Sequence, residues 1–454
     1  MSKYKYTEEE GKRNVVLKHQ ENQLKEIKEK LSDNDLKEHI QSSEKLLKEI
    51  GIDDVPNIKI ERSNEKRVLY LRDFKDIYVE AEQSVGSNVV LEDLFSEDEL
   101  KENEEVIKAL NEEYNSVHRL DKFDVSISVV AGLIGAIIDI VLVGIPEKGP
   151  DGLEAGSLSN FIRKKFNEKF DPKEMEKLAN SKESKVPFDA QDNRHTTEYV
   201  DGLSAYYHRM LSLGHDPILG FVFGLYDIMH GTMTTIDKKG KIVSQVMNVY
   251  ADRKETDIVS AFIKQIIHFK SDITTSMGLP APMMALFNKL QFGSIGEEEQ
   301  TIAEIVQGMY YEGFDFIHFC AQSISTIAIE LVVRIAYAVK SIKEGNSIKD
   351  SIPISLNREK HPKLATMLFM AHCEATAINL GKIIYTDNPM AINYPQWLAF
   401  ARYSYKQLKW VLLEKPIKRD QYVRKILDDE LFKTIEANDI FFDEYAKNCF
   451  VVMD

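Results

Sequence analysis

The chain is poor in cysteine and in cationic surplus, and it contains none of the common short catalytic motifs. Three cysteines in 454 residues, Cys320, Cys373 and Cys449, are far apart, odd in number and form no CxxC pair. That pattern excludes a disulfide framework and a cysteine-based zinc site, and it fits a reducing compartment. Lys and Arg total 58 against 73 Asp and Glu, a formal net charge of −15. A chain so acidic lacks the basic face that phosphate contacts require, so no nucleic-acid partner is expected. The opening stretch MSKYKYTEEEGKRNVV has no apolar core of the kind that defines a secretory signal. The expected location is cytoplasmic or at the inner face of a membrane. GxxxxGK[ST], GxSxG and HExxH are all missing, and GSIGEEEQ at 293–300 lacks the lysine and hydroxyl of a phosphate loop.

What is present changes in character near residue 122. Residues 1–121 are dense in lysine and glutamate, with Val16, Leu17, Leu24, Ile27 and Leu31 at roughly helical spacing. This reads as a mainly helical, charged arm or module, interrupted at Gly51–Pro56. Ile58–Ile60 and Val68–Leu71 fit a short hairpin, while LYLRDFKDIYVEAE fits a helix equally well.

Residues 122–454 are apolar and glycine-bearing. Phe123–Pro146 holds about 20 successive residues with one charge, Asp139, which is long enough to cross a bilayer. The same segment also suits a wholly buried helix of a soluble bundle, with Asp139 meeting a partner. Gly132 and Gly135 allow close helix approach. Further apolar helices are expected over Phe316–Ile342, with Glu330 and Arg334 paired at i, i+4, over Leu364–Ile384, with His372 and Glu374, and over Trp397–Leu413. Strand-like alternation is scarce, so the predicted fold is an all-α multi-helix bundle. Pro280, Pro282, Met277, Met283 and Met284 mark a connection between helices.

The densest polar cluster lies in HRMLSLGHDPILGFVFGLYDIMHGTMTTID, residues 208–237. Tyr206–Leu213 suits a helix closed at Gly214; Asp216 and Pro217 suit the cap and first position of the next, and Thr232–Gly240 reads as a turn. Gly220 and Gly224 permit tight packing. His208 and His230, with Asp227 one helical turn before His230, form a candidate metal-ligand set that His215 and Asp139 complete. His268 and Asp272, at i and i+4, are a further workable ligand pair.

The run FDVSISVVAGLIGAIIDIVLVGIP, then YYHRMLSLGHDPILGFVFGLYDIMHGTMTTIDKKGKI and GLPAPMMALF, resembles a family of uncharacterised bacterial proteins associated with mobile elements and gut bacteria. The resemblance covers residues 120–390 and is most specific at HR…LGHDP…G…G…DI. It implies a shared helical core and a setting inside a bacterial cell, and it transfers no activity and no catalytic residue.

Two functional classes follow. The favoured expectation is an effector or interaction protein, tied by the resemblance to defence or mobile-element conflict. In it the charged arm binds a protein partner, and the apolar helices pack, self-associate as a homo-oligomer or meet a membrane; no cofactor is needed. The alternative is a metal-dependent hydrolase in which Asp139, His208, His215, Asp227 and His230 surround a divalent cation. A purely structural scaffold, with every polar group a cap or a buried partner, is the third.

Overall fold

A computed structural model describes residues 6–30, 67–149, 152–275, 277–295, 299–446 and 449–453, with 38, 41–43, 45, 46 and 48. Helix dominates the described residues and strand is confined to short two-stranded pairs, so the fold is the all-α multi-helix bundle that the periodicity predicts. The chain divides into two units, one made of residues 1–116 with 415–454 and the other of 117–414. The change expected after residue 121 therefore falls five residues earlier, and the C-terminal segment groups with the charged arm instead of the bundle.

In the first unit, Glu8–Lys30 packs on Phe74–Val85 through Val15, Val16 and Ala81, the only buried hydrophobic cluster described there. Asp73 caps the second of these helices by accepting from the Lys75 amide. Val68–Leu71 does form strand, within Arg67–Leu71, yet it pairs in parallel with Cys449–Met453 and not within a local hairpin. Sequence distance hid that partner. Gly51–Pro56 and Ile58–Ile60 lie outside the described residues.

The second unit is built around four long helical segments. Lys122–Ile137 starts at an Asp121 cap and continues as a wider π turn, Ile138–Val143, closed by Gly144 in a positive-φ conformation. It packs against Phe316–Lys343 and Leu364–Thr386, and Tyr394–Lys409 completes the group. The glycines do what their spacing implies. A Cβ on Gly132 would lie 2.8 Å from the Ala371 carbonyl oxygen, and one on Gly135 2.5 Å from the Ile329 side chain.

Charges of these helices meet one another inside. The Asp139 carboxylate accepts from Asn379 Nδ2 and Lys382 Nζ at 3.0 Å and from Asn393 Nδ2 at 2.9 Å. Glu330 accepts from Arg334 at 2.7 Å, as the i, i+4 spacing predicts, and also from the Tyr403 hydroxyl. Asp139 is thus a structural cross-link between segments, remote from any histidine contact.

Beside this bundle lies a smaller helical and looped layer, residues 157–311, with a core around Phe188, Leu211, Ile228 and Met233. Thr232–Ile236, expected as a turn, is instead a strand paired antiparallel with Ile242–Val246. Its β-branched threonines favour extended backbone, and the turn proper is Asp237–Lys241, where Asp237 accepts from the Lys239 and Lys241 amides. Met284 of the Pro-Met segment is buried against Met210 and Tyr310, so that connection belongs to the core.

Replacement of Gly132 by alanine is expected to destabilise the chain by about 1–3 kcal/mol, because its new methyl group meets backbone. Gly308, with nothing within 4 Å of a built Cβ in the middle of Ile302–Tyr311, should gain about 0.5–1 kcal/mol on the same change. Urea unfolding of the two variants measures the contrast.

Candidate metal centre

The ligand set proposed from sequence separates into three places. Asp227 lies within Phe223–His230, and its carboxylate accepts from the Thr232 hydroxyl at 2.6 Å and from the Thr234 amide and hydroxyl at 2.9 Å each. It ties the helix to the strand that follows. His230 sits at that helix's end, donating from Nδ1 to the Tyr226 carbonyl at 2.9 Å and stacking on the Tyr226 ring. Asp139 serves the cross-link described above. Period-based spacing placed Asp227 and His230 on one face, but Gly231, left-handed at φ +69°, turns the chain back and gives Asp227 to the threonines.

His208 and His215 do come together, and they are joined by His268, Asp272 and Asp189. Among the described residues two overlapping groups have ligand atoms close enough to share one ion: Asp189, His208 and His215, and His215, His268 and Asp272. Nε2 of His208 is 3.3 Å and Nε2 of His215 is 3.7 Å from Asp189 Oδ1. Asp272 Oδ2 lies 3.8 Å from His215 Nε2 and 3.5 Å from His268 Nε2. An ion held at about 2.0–2.3 Å sets the edges of its ligand polyhedron at roughly 2.8–3.8 Å, so these separations match.

Local structure explains how each group arrives. Val186–Asp189 is a turn, the Asp189 amide donating to the Val186 carbonyl at 3.4 Å, and its buried Phe188 ring stands edge-on to His215 at 5.1 Å and to His268 at 5.3 Å. Gly214 makes room for that ring: a Cβ there would approach it to 2.7 Å. The short turn His208–Leu211 followed by Leu213–His215 carries two of the histidines, and Ile258–Asp272 carries the i, i+4 pair on its buried face. Asp216 performs the capping role expected of it, accepting from the Ile218 and Leu219 amides at 2.9 Å.

Tautomers are set by the outer contacts. His208 Nδ1 faces the Ala205 carbonyl and His268 Nδ1 faces the Ser184 carbonyl, each at 2.9 Å. A carbonyl only accepts, so both Nδ1 atoms donate, and in the neutral rings both Nε2 atoms present lone pairs inward. Asp272 is held by Arg209, whose guanidinium donates to Oδ1 at 3.0 Å, leaving Oδ2 directed at the histidines. Burial pushes the His215 ring down to about 3, so it is neutral at ordinary pH.

Ring nitrogens therefore face carboxylate oxygens across less than 4 Å of buried space. His208 Nε2, both nitrogens of His215, His268 Nε2 and Asp272 Oδ2 have no hydrogen-bond partner. Buried polar atoms in that state cost about 1–3 kcal/mol each unless something satisfies them. A divalent transition ion answers both the geometry and the charge, and imidazole with carboxylate suits zinc, manganese or iron. Asp189, with 22% of its side chain exposed, forms the wall of the site nearest solvent.

Sequence reasoning named His268 and Asp272 as a pair but missed Asp189, whose FDAQDN context carries no periodic or motif signal. Compared with protein-family models, curated proteins and solved structures, the chain matches none.

Asp227→Ala should strip partners from the Thr232 and Thr234 hydroxyls and the Thr234 amide and cost about 1–3 kcal/mol in urea unfolding.

Proposed function

We propose that this chain is a metal-dependent hydrolase whose ion is held by His215, His268 and Asp272, with His208 and Asp189 beside it. The observation that carries the reading is the set of inward-facing, unpartnered Nε2 and Oδ2 atoms, three of them oriented by outer hydrogen bonds. When bound, such an ion acidifies a coordinated water and polarises an ester or phosphoryl oxygen. The protein's part is to fix the donors. Ala205 and Ser184 set the ring tautomers, Arg209 aims Asp272, and Phe188 keeps the floor apolar so that charge is felt strongly. Asp189, on the solvent side, is the carboxylate placed to accept a proton from the attacking water.

The test is elemental analysis of the full chain purified without a metal-affinity tag, followed by hydrolysis of bis(p-nitrophenyl) phosphate and p-nitrophenyl esters. About one equivalent of zinc, manganese or iron is expected, lost in a His208→Ala, His268→Ala double variant and retained in His230→Ala. Asp189→Asn should lower turnover by a factor of about 100 or more. Folded, metal-free protein overturns the site, and a metal-loaded chain inactive on every such substrate overturns the hydrolase.

A further inference from the structure

Three segments of the bundle, Lys122–Val143, Phe316–Lys343 and Leu364–Thr386, turn their charges inward to pair and leave aliphatic groups outside, an unusual arrangement for a helix face in water. Inside, Asp139 meets Lys382, Asn379 and Asn393; Asp124 meets Lys340 and Lys363; Glu330 meets Arg334 and Tyr403. Outside, Lys122–Val143 presents Leu133, Ile137 and Val141, and Phe316–Lys343 presents Ile327, Leu331 and Ile335, all between 42% and 64% exposed. The outward face of Leu364–Thr386 carries Cys373, Ala377, Leu380 and Ile384. No charged residue is exposed from Phe123 to Leu142, from Phe316 to Ile342 or from Leu364 to Thr386.

Dimensions agree with this chemistry. Ion pairs at Asp124 with Lys340 mark one end of the face, and Val143 is 19 residues further along, about 28 Å at helical rise, close to the roughly 30 Å of a bilayer's hydrocarbon. The best 18-residue windows have mean hydropathy 2.5 in Glu97–Val143 and 1.6 in Phe316–Lys343, yet only 33% and 39% of them are buried. A core helix of a soluble protein with that hydropathy would be mostly covered. Charged side chains that face the bundle interior and pair there are what a hydrocarbon surround enforces.

We infer that the outward face of Lys122–Val143, Phe316–Lys343 and Leu364–Thr386 is covered by the acyl chains of a lipid bilayer. A second copy of the chain is the other occupant that could cover it. A dimer would cover one flat portion, whereas the uncharged surface occurs on three separate helices. This inference is independent of the metal centre.

Cys373 is exposed on the face and supplies the probe. The full chain with Cys320→Ala and Cys449→Ala, labelled at Cys373 with an environment-sensitive fluorophore, is diluted from detergent into zwitterionic phosphatidylcholine vesicles. A control is labelled at a cysteine replacing the exposed Glu174, in a background with all three native cysteines removed. Expected are flotation with the vesicles, a blue shift at Cys373, and quenching there by lipids carrying a nitroxide in the acyl chain, with none at position 174. Leu331→Glu with Ile335→Glu, both at exposed positions, should abolish flotation while circular dichroism stays helical. The inference is overturned if the chain remains in the aqueous fraction, or if the Cys373 shift grows with protein concentration without vesicles and ignores the lipid nitroxide, which would assign the face to a second copy.

Discussion

Three buried imidazoles crowd against two carboxylates with ring nitrogens that no hydrogen bond satisfies, and that arrangement cannot be stable by itself. Repulsion between acceptors in a buried space has to be met by a proton or by a cation. His215 is the centre of this constraint, since it lies between Asp189 and Asp272 and has neither nitrogen hydrogen-bonded. Much of the surrounding structure exists to keep the rings where they are. Phe188 wedges against two of them, Gly214 yields the space for Phe188, and carbonyls at Ala205 and Ser184 fix the ring orientations. A divalent ion at His215 would meet that repulsion.

A parallel logic governs the long helices. Asp139, Lys382, Asn379 and Asn393 form a closed polar set in which each charge has a partner, and it draws together the π turn after Ile137, the Leu364–Thr386 helix and the start of Tyr394–Lys409. Breaking one member would leave its partner buried and unpaired, a far larger cost than any surface pair carries. Such internal pairing leaves the outward faces of Lys122–Val143, Phe316–Lys343 and Leu364–Thr386 without exposed charge between Phe123 and Leu142, Phe316 and Ile342, and Leu364 and Thr386. The two halves of the second unit thus solve opposite problems: one concentrates unpaired polarity at a point, and the other neutralises every charge it buries.

The helical architecture was legible because it rests on long apolar periodicities, which survive in any packing. Glu330 and Arg334 pair, Asp216 caps and Gly132 admits a neighbour because each depends on residues within one or two turns or on a lost Cβ. The site was half legible. His208, His215, His268 and Asp272 stood out as polar residues in apolar surroundings, but so did Asp139, Asp227 and His230, and composition does not separate a ligand from a cross-link. What separates them is where the chain turns. Gly231 reverses direction and hands Asp227 to Thr232 and Thr234, while the loop at Pro187 brings in Asp189 from outside the dense stretch. The strand pairing of Arg67–Leu71 with Cys449–Met453 was hidden for the same reason, being a contact between the two ends of the sequence.

The most direct test of the metal centre is crystallographic. Diffraction data collected on either side of the zinc, iron and manganese absorption edges would locate a bound ion by its anomalous signal. One peak is expected at about 2.0–2.3 Å from Nε2 of His215 and His268 and from Oδ2 of Asp272, with Asp189 on its open side. A well-ordered map in which those atoms instead hydrogen-bond to waters, with no anomalous peak after soaking in any of the three metals, would contradict it.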